Sequence, residues 1–511
     1  MISWLHGVYV VLVPWGICEA SLLYGLILYR SPVKHILLSP LVSIPLTGIV
    51  AVILGLISLL PFHIGQHLVD VLGLPCLWFL GLNGGKGIAL NGDTSPNHQR
   101  GTILKGMPRL LNQNVTSRKT LTLAGFPVAP PDETKHFKMI GTTGTGKSTA
   151  IRELLGGALE RGDRAVIADP DGSYLQRFYN PARGDVILNP FEAKAARWDL
   201  FAEMLNLYDA DQLAVSLIPD TEGTERPWRG YARVFLISLL RQLHRVHHHD
   251  VAELYRLLTT TPADDLRDLL SDTPAGPYLA QDNGKFFGAV RAVANTHVGA
   301  LEHIALQTAR DNLSVRDWIR NRRTGVLYLP YKANEIATLK SLISTWMRLA
   351  IYEAMNQSEG DQKLWFIIDE LDALGPIDGL KDALARLRKF GGRCVIGFQS
   401  IAQVSGTYGH AEAQTIVENC GNTLILRCSA SENGGTARFA SGLIGQHEFI
   451  REHVTRTRHP DKWLATRTES QQHVTELAVL PSQIEQLPDL HGYLKFASTP
   501  EWRRVRLTAS S

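Results

Sequence analysis

Cysteine is scarce: five thiols stand in 511 residues, at 18, 76, 394, 420 and 428, with no CxxC spacing among them. That pattern excludes a disulfide framework and gives no zinc site, and it fits buried thiols in a reducing compartment. An excess of charge of either sign is also missing. The net charge is only +3 with a pI near 8.5, which neither demands nor excludes a polyanionic partner, so any basic surface must come from local clustering. No repeat or low-complexity tract interrupts the chain after the N-terminal region. No basic segment precedes the first apolar run and a second long run follows it, so a cleavable signal peptide fits poorly. A length of 511 residues exceeds what one hydrophobic core organises, and two soluble modules are expected besides whatever the N-terminus adds.

What is present begins with two apolar stretches, 8 to 29 and 37 to 60, each long enough to cross a hydrocarbon core as a helix. A third run, 68 to 82, is short and carries Asp70 and Pro75, so it reads either as a further span or as a re-entrant or interfacial helix. Residues 1–85 are therefore expected to be a transmembrane anchor of two or three spans. The link between the first two spans holds Arg30, Lys34 and His35, which the positive-inside tendency places in the cytoplasm. With two spans that would leave the rest of the chain outside, whereas a third span restores the cytoplasmic side. Glu19, inside the first stretch, is expected to pair against a neighbouring helix.

Beyond a polar, Gly-rich connector, short apolar runs alternate with helical stretches: 137–140, 164–168, 185–188, 325–329, 364–368, 394–398 and 423–427. This alternation predicts an α/β fold with a parallel sheet covered on both faces, over 86–197 and 313–511. Between 198 and 312 the strand pattern gives way to helical periodicity, which predicts an all-α inserted domain. The histidine-rich run His244 to Asp250 reads as a solvated helix end, because no second cluster with ligand spacing lies near it. The basic stretch Arg451 to Arg467 reads as a solvated loop, with Trp463 nearly alone as an aromatic, and it stays open as a DNA contact together with the helical insert.

Gly141, Thr142, Thr143, Gly144, Thr145, Gly146, Lys147 and Ser148 match G-x-x-x-x-G-K-[ST] between a strand and a helix beginning near Thr149. Glycines let the backbone curl so that successive N–H groups meet phosphates; Lys147 reaches the β- and γ-phosphates, and Ser148 is placed to hold Mg2+. The run 364–368 ends in Asp369 and Glu370, at the end of a strand where open α/β sheets hold ligands. Asp369 is expected to orient Mg2+, and Glu370 to position or deprotonate the attacking water of ATP hydrolysis. Gln399, after the run 394–398, is expected beside the γ-phosphate as a sensor. Arg386, Arg388, Lys389 and Arg393 cluster near the turn Gly391-Gly392, either as a solvated basic face or as the source of an arginine that reaches a neighbour's nucleotide.

In order along the chain, these motifs resemble the type IV secretion coupling proteins of the TraD/TrwB group. The resemblance rests on His136-Phe137 leading into the glycine-rich loop, Asp169-Pro170-Asp171-Gly172-Ser173-Tyr174, Leu188-Asn189-Pro190-Phe191 with Trp198-Asp199-Leu200, and Arg316-Asp317-Trp318. It continues through Asp369-Glu370-Leu371, Arg388-Lys389-Phe390-Gly391-Gly392, Gly397-Phe398-Gln399-Ser400 and Leu487-Pro488-Asp489-Leu490. The resemblance implies a RecA-like nucleotide-binding domain with an inserted all-α domain and a membrane anchor. It also implies ATP and Mg2+ as ligands, a homo-hexamer, and DNA with its relaxase moved into a type IV secretion channel of the bacterial inner membrane, with the ATPase in the cytoplasm. It gives Gln399 the sensor role and Arg388 the place of the interface arginine. The short basic link between the first two stretches departs from the family pattern, as does the lack of a long acidic tail after Leu490. Two alternatives remain: an FtsK-like pump for double-stranded DNA, for which the stretch after Leu490 is short of a winged-helix reader, and a membrane scaffold that binds nucleotide without hydrolysis, which leaves Glu370 unexplained. A solute transporter of the ABC type would carry LSGGQ, and none occurs between Ser148 and Asp369.

Overall fold

The computed structural model describes residues 2–28, 36–58, 75, 77–84, 98–106, 120–221, 223–308, 311–321, 324–360, 362–431, 435–457 and 466–508. The chain divides into two compact units, Met1–Arg100 with His447–Glu476, and Gly101–Gln446 with Leu477–Ser511.

In the first unit, helices Ile2–Leu28 and Ser39–Ser58 overlie the two apolar stretches; the third apolar run lies outside the described residues except at 75 and 77–82. Side chains of the two helices are described only over 14–27, 39–49 and 52, and within the described residues no helix is long and apolar enough to cross a membrane. The helices are tied by polar groups: Trp15 Nε1 donates to Ser43 Oγ over 3.0 Å, and the Ser39 hydroxyl donates to the Glu19 carboxylate. Of the stretch read as a basic loop, 451–457 and 466–467 are instead extended, and 458–465 lie outside the described residues. Strands Gln446–Thr457 and Thr466–Leu477 form a three-stranded sheet with His98–Gly101. Their residues are polar at alternate and adjacent positions alike, so the period-2 signal of a half-buried strand is missing from the sequence.

The second unit is built on ten strands: β1 Ile103–Lys105, β2 Phe137–Ile140, β3 Arg164–Pro170, β4 Val186–Ile187, β5 Val326–Tyr331, β6 Leu364–Ile368, β7 Gly392–Phe398, β8 Asn422–Ile425, β9 His491–Lys495 and β10 Glu501–Arg506. They lie in the order β1-β10-β9-β8-β2-β7-β6-β3-β5-β4. From β8 to β4 every pairing is parallel; β9 and β10 add antiparallel neighbours, and β1 pairs parallel with β10. All seven apolar runs read from the sequence fall in the parallel part. Buried on both faces, its strands are near-continuous hydrophobic runs, as Leu364–Ile368 illustrates.

One face of the sheet packs on helix Lys147–Glu160 through Ala150, Ile151, Leu154 and Leu155. The other packs on helix Ile336–Met355, and that core runs on without interruption into the helical segment, through Trp198, Phe235 and Val290. The helical segment includes Asp209–Leu217, Arg226–Arg245, Val251–Thr259 and Gly284–Val298. It is closed at its base by a short parallel ladder in which Arg197 faces Asn312 and Trp198 faces Leu313. Buried Glu203 secures that base, accepting from the Trp198 indole (2.9 Å), the Ser314 hydroxyl (3.1 Å) and the backbone N–H groups of Val315 (2.6 Å) and Arg316 (3.1 Å).

His136 enters β2 with a left-handed backbone (φ 56°). Its Nδ1 accepts the Cys394 N–H (3.1 Å) and its Nε2 lies 2.9 Å from the Leu384 carbonyl, so the neutral ring ties β2 to β7. Burial pushes its pKa down from 6.5 to about 4. Between those values the unfolded chain binds a proton that the folded chain refuses, so stability is complete above pH 6.5 and falls toward pH 4, by about 3 kcal/mol at the full shift. Denaturant unfolding across that range is expected to show a steeper loss in the unaltered protein than in His136→Gln; parallel slopes would remove His136 as the cause.

Candidate functional site

Strand β7 lies between β2 and β6, so the loop after β2 and the acids after β6 flank the residue that follows β7. A cavity of about 300 Å3 opens there, lined by Thr143, Gly144, Gly146, Lys147, Ser148, Thr149, Asp369, Glu370 and Gln399. Pro170, Asp171, Ser173 and Leu490 complete its wall.

The loop conformation demands glycine at two points. Gly144 (φ 78°) and Gly146 (φ 116°) are left-handed, and a Cβ on Gly146 would press within 2.9 Å of Leu490 and Leu507. Thr142 and Thr145 turn inward and brace the loop: Thr142 N–H donates to the Arg427 carbonyl (2.9 Å), and Thr145 Oγ1 donates to the Thr142 carbonyl (2.7 Å). Lys147 curls over the loop, its Nζ donating to the Gly141 carbonyl (2.6 Å) and the Thr142 carbonyl (3.3 Å). Burial lowers the Lys147 pKa, and the carboxylates of Asp369 and Glu370 act in the opposite sense.

Ser148 Oγ donates to Asp369 Oδ2 over 2.7 Å, while Asp369 Oδ1 is buried with no hydrogen-bond partner. A hydroxyl beside a carboxylate with a bare oxygen is the donor set a hard divalent cation takes, its remaining positions being filled by phosphate oxygens and water. Such an ion uses one carboxylate, and among the described residues no group of three His, Cys, Asp or Glu gathers to hold a metal alone. Gln399 bridges the two flanking segments: its Oε1 accepts from Thr143 Oγ1 (2.9 Å) and its Nε2 donates to Glu370 Oε1 (3.1 Å). Burial, then the neighbouring Asp369 charge, raises the Glu370 pKa, which makes this carboxylate a stronger base than an exposed one.

Arg388 is not in this group. It lies on the turn Leu387–Phe390 before β7, at the opposite edge of the sheet from Gln399, roughly 20 Å away along a seven-residue strand. There it lines a second cavity of about 620 Å3 with Arg161, Lys363, Lys389 and Arg393. Arg393 is buried and half-buried Arg161 lies beside it, both committed to Glu133 (2.8 and 2.7 Å), whereas Arg388 and Lys389 are exposed.

Sequence reasoning gave no role to Tyr174 or Leu490, though both stand in runs quoted for the resemblance. Tyr174 OH donates to Asp369 Oδ2 over 2.7 Å. Leu490, left-handed at φ 63°, donates its N–H to the Thr145 carbonyl (2.9 Å) and so leans the C-terminal segment on the loop. Neither a buried phenol nor a strained leucine carries a pattern that single-sequence reading can detect.

Residues 120–508 match the family model for the type IV secretion-system coupling protein DNA-binding domain. The chain is similar to the coupling protein TraD of Escherichia coli K12, 30% identical over 380 residues, covering 73% of this chain and 52% of that protein. It is also similar to VirD4 of Rhizobium rhizogenes, 27% identical over 145 residues, or 28% of this chain and 21% of that one. The chain thus spans about half of TraD and a fifth of VirD4. Among solved structures, the plasmid coupling protein TrwB in complex with ADP and Mg2+ superposes with a TM-score of 0.71 at 31% identity, covering 81% of this chain and 94% of that one. TrwB with the ATP analogue ADPNP gives 0.71 at 30% identity over 82% and 96% of the respective chains.

The close passage of β7 and β6 generates a prediction. A Cβ on Gly397 would lie 2.3 Å from the Asp369 carbonyl oxygen, a backbone atom that cannot step aside. Gly397→Ala is expected to cost about 1–3 kcal/mol of stability and to weaken nucleotide binding, read by thermal melting with and without ADP. A melting temperature and ADP response equal to the parent's would contradict the packing argument.

Proposed function

Because the chain belongs to the type IV secretion-system coupling protein family, we propose that it is a membrane-anchored ATPase that drives DNA, with its relaxase, into a type IV secretion channel during conjugative transfer. The observation that carries this reading is the convergence of Lys147, Ser148, Asp369, Glu370 and Gln399 on one cavity at the carboxyl edge of a parallel sheet. ATP with Mg2+ is the ligand this set suits, and related TrwB is described in complex with ADP and Mg2+ and with an ATP analogue.

In this reading Gly141 to Thr149 cradle the phosphates, and Lys147 leaves its two loop carbonyls for the β- and γ-phosphates. Ser148 and Asp369 hold the cation. A bound magnesium ion would neutralise part of the phosphate charge. Glu370 takes the proton of the attacking water, held at a fixed angle by the Gln399 amide, which meets Thr143 on its other side. Arg388, remote from the nucleotide cavity of its own subunit, serves a neighbouring subunit's nucleotide in a homo-hexameric ring. Residues 86–197 and 313–511, apart from 86–100 and 447–476, which fall in the unit with the N-terminal helices, act as the RecA-like domain and 198–312 as the all-α insert.

Anchoring in a membrane, in this reading the bacterial inner membrane with the ATPase in the cytoplasm, is supported in its first part by apolar side chains left bare on and beside the N-terminal helices. Leu37 is 74% exposed, Leu41 70%, Ile27 62% and Ile44 57%, a run that water would penalise and lipid would not.

Glu370→Gln is expected to keep ATP binding and lose nearly all phosphate release, whereas Lys147→Ala weakens both. Normal turnover in Glu370→Gln would sink the assignment of the base and, with no DNA-stimulated hydrolysis in the parent, the motor reading itself. Arg388→Ala subunits mixed with Lys147→Ala subunits are expected to recover part of the lost activity; silence at every mixing ratio argues against action across an interface. Binding to DNA is expected to fall steeply with salt and to change little with sequence, as contacts to phosphates require. Titrations between low and physiological salt decide this, a flat response speaking against backbone binding.

A further inference from the structure

Asp369 is held by a residue with no part in the scheme above. Tyr174 is fully buried, and its hydroxyl donates to Asp369 Oδ2 over 2.7 Å, the same oxygen that receives the Ser148 hydroxyl at 2.7 Å. With two donors on Oδ2, the carboxylate cannot turn and exchange its oxygens without breaking both bonds. The oxygen left over is Oδ1, which is buried and has no partner. Tyr174 is itself held from behind. It sits in the first turn of helix Ser173–Phe178, whose end is capped by the buried Asp169 carboxylate accepting the N–H groups of Tyr174 (3.0 Å) and Leu175 (2.6 Å). The Arg152 guanidinium lies 5.8 Å from the centre of its ring.

We propose that Tyr174 is a positioning residue for the metal of the nucleotide complex: its hydroxyl holds the Asp369 carboxylate in one orientation even when Ser148 turns its own oxygen to the metal. The inference rests on the nucleotide reading of this site and deepens it. Ser148 is expected to change its bonding when the ion arrives, since its oxygen becomes a ligand. The phenol has no such second task, and it is the donor that remains. Groups that orient a metal-bound carboxylate typically change metal affinity by about 10- to 100-fold when removed.

The test uses the full chain in detergent and Tyr174→Phe, which deletes the hydroxyl and keeps the ring. ADP binding is followed by fluorescence of a labelled nucleotide, first without divalent metal and then along a Mg2+ titration. The metal-free affinity is expected to match the parent, while the Mg2+ concentration giving half the metal-dependent gain rises at least about tenfold. A merely structural role would weaken both measurements together, and an unchanged Mg2+ midpoint would likewise overturn the proposal. If Tyr174→Phe does not fold, 3-fluorotyrosine at 174 keeps the hydroxyl, and its fluorine resonance is expected to move when Mg2+ is added to the ADP complex; a stationary resonance would overturn the proposal. Should the parent protein itself show no Mg2+-dependent nucleotide binding, the nucleotide reading fails rather than the role of Tyr174.

Discussion

The cavity end of the sheet depends on how closely β7 passes β6. Gly397 has no side chain, and the space a Cβ would fill is taken by the Asp369 carbonyl oxygen, 2.3 Å from that position. This approach seats Asp369 and Glu370 beside Gln399, and the Leu371 N–H donates to the Gly397 carbonyl (2.9 Å) at the point where the chain leaves the sheet. On its other side β7 pairs with β2, and the Phe398 carbonyl accepts the Gly141 N–H (3.3 Å) as the glycine-rich loop begins. One strand therefore sets the separation of loop and acids, and the Gln399 amide measures that separation with a hydrogen bond to each side.

The helical segment does not have a core of its own. Trp198 at its base meets Trp346 edge-on, with ring centres 5.8 Å apart, inside the same apolar cluster that covers the sheet. A close-packed interior transmits displacement instead of absorbing it, so the insert and the sheet face behave as one body. Arg316 and Asp209, both buried and paired, and Arg348, which donates to Ser216 Oγ (2.7 Å) and the Gln212 carbonyl (3.0 Å), fasten the first helix of the insert to the α/β layer. Charges buried in this way are costly unless fully partnered, which favours a single relative placement of the two parts.

The parallel part of the fold was legible because its strands are short, mostly apolar and separated by helices, and the glycine-rich loop because its chemistry fixes residue types at fixed spacing. Legibility ends where structure depends on partners distant in sequence. Strands β9 and β10 alternate too weakly to stand out, as His491–Lys495 and Glu501–Arg506 show, and they join the sheet through β8. The 12-residue strands Gln446–Thr457 and Thr466–Leu477 carry charges and amides where a half-buried strand would alternate. In the site, Lys147, Ser148, Asp369, Glu370 and Gln399 could be picked out by type and place. Tyr174 could not, since the bond that gives it importance spans 195 positions.

Burial also separates basic residues that look alike in sequence. Arg393 is 3% exposed and, with Arg161, encloses Glu133, while Asp163 receives Arg161 and the Trp365 indole (2.9 Å). Glu133, whose pKa these guanidinium groups hold low against the effect of burial, turns the pair of arginines into fixed structure. They brace the amino edges of β6 and β7 and have no charge left for a distant phosphate. Arg388 and Lys389 stand on the exposed turn above this floor, and a rigid floor matters for them. A long cation that must reach across an interface loses less freedom when the backbone bearing it is already immobile. The same strand, β7, carries that turn at one end and Gln399 at the other. If the ring forms as proposed, opposite ends of a single seven-residue strand would face one nucleotide and carry the cation offered to the next.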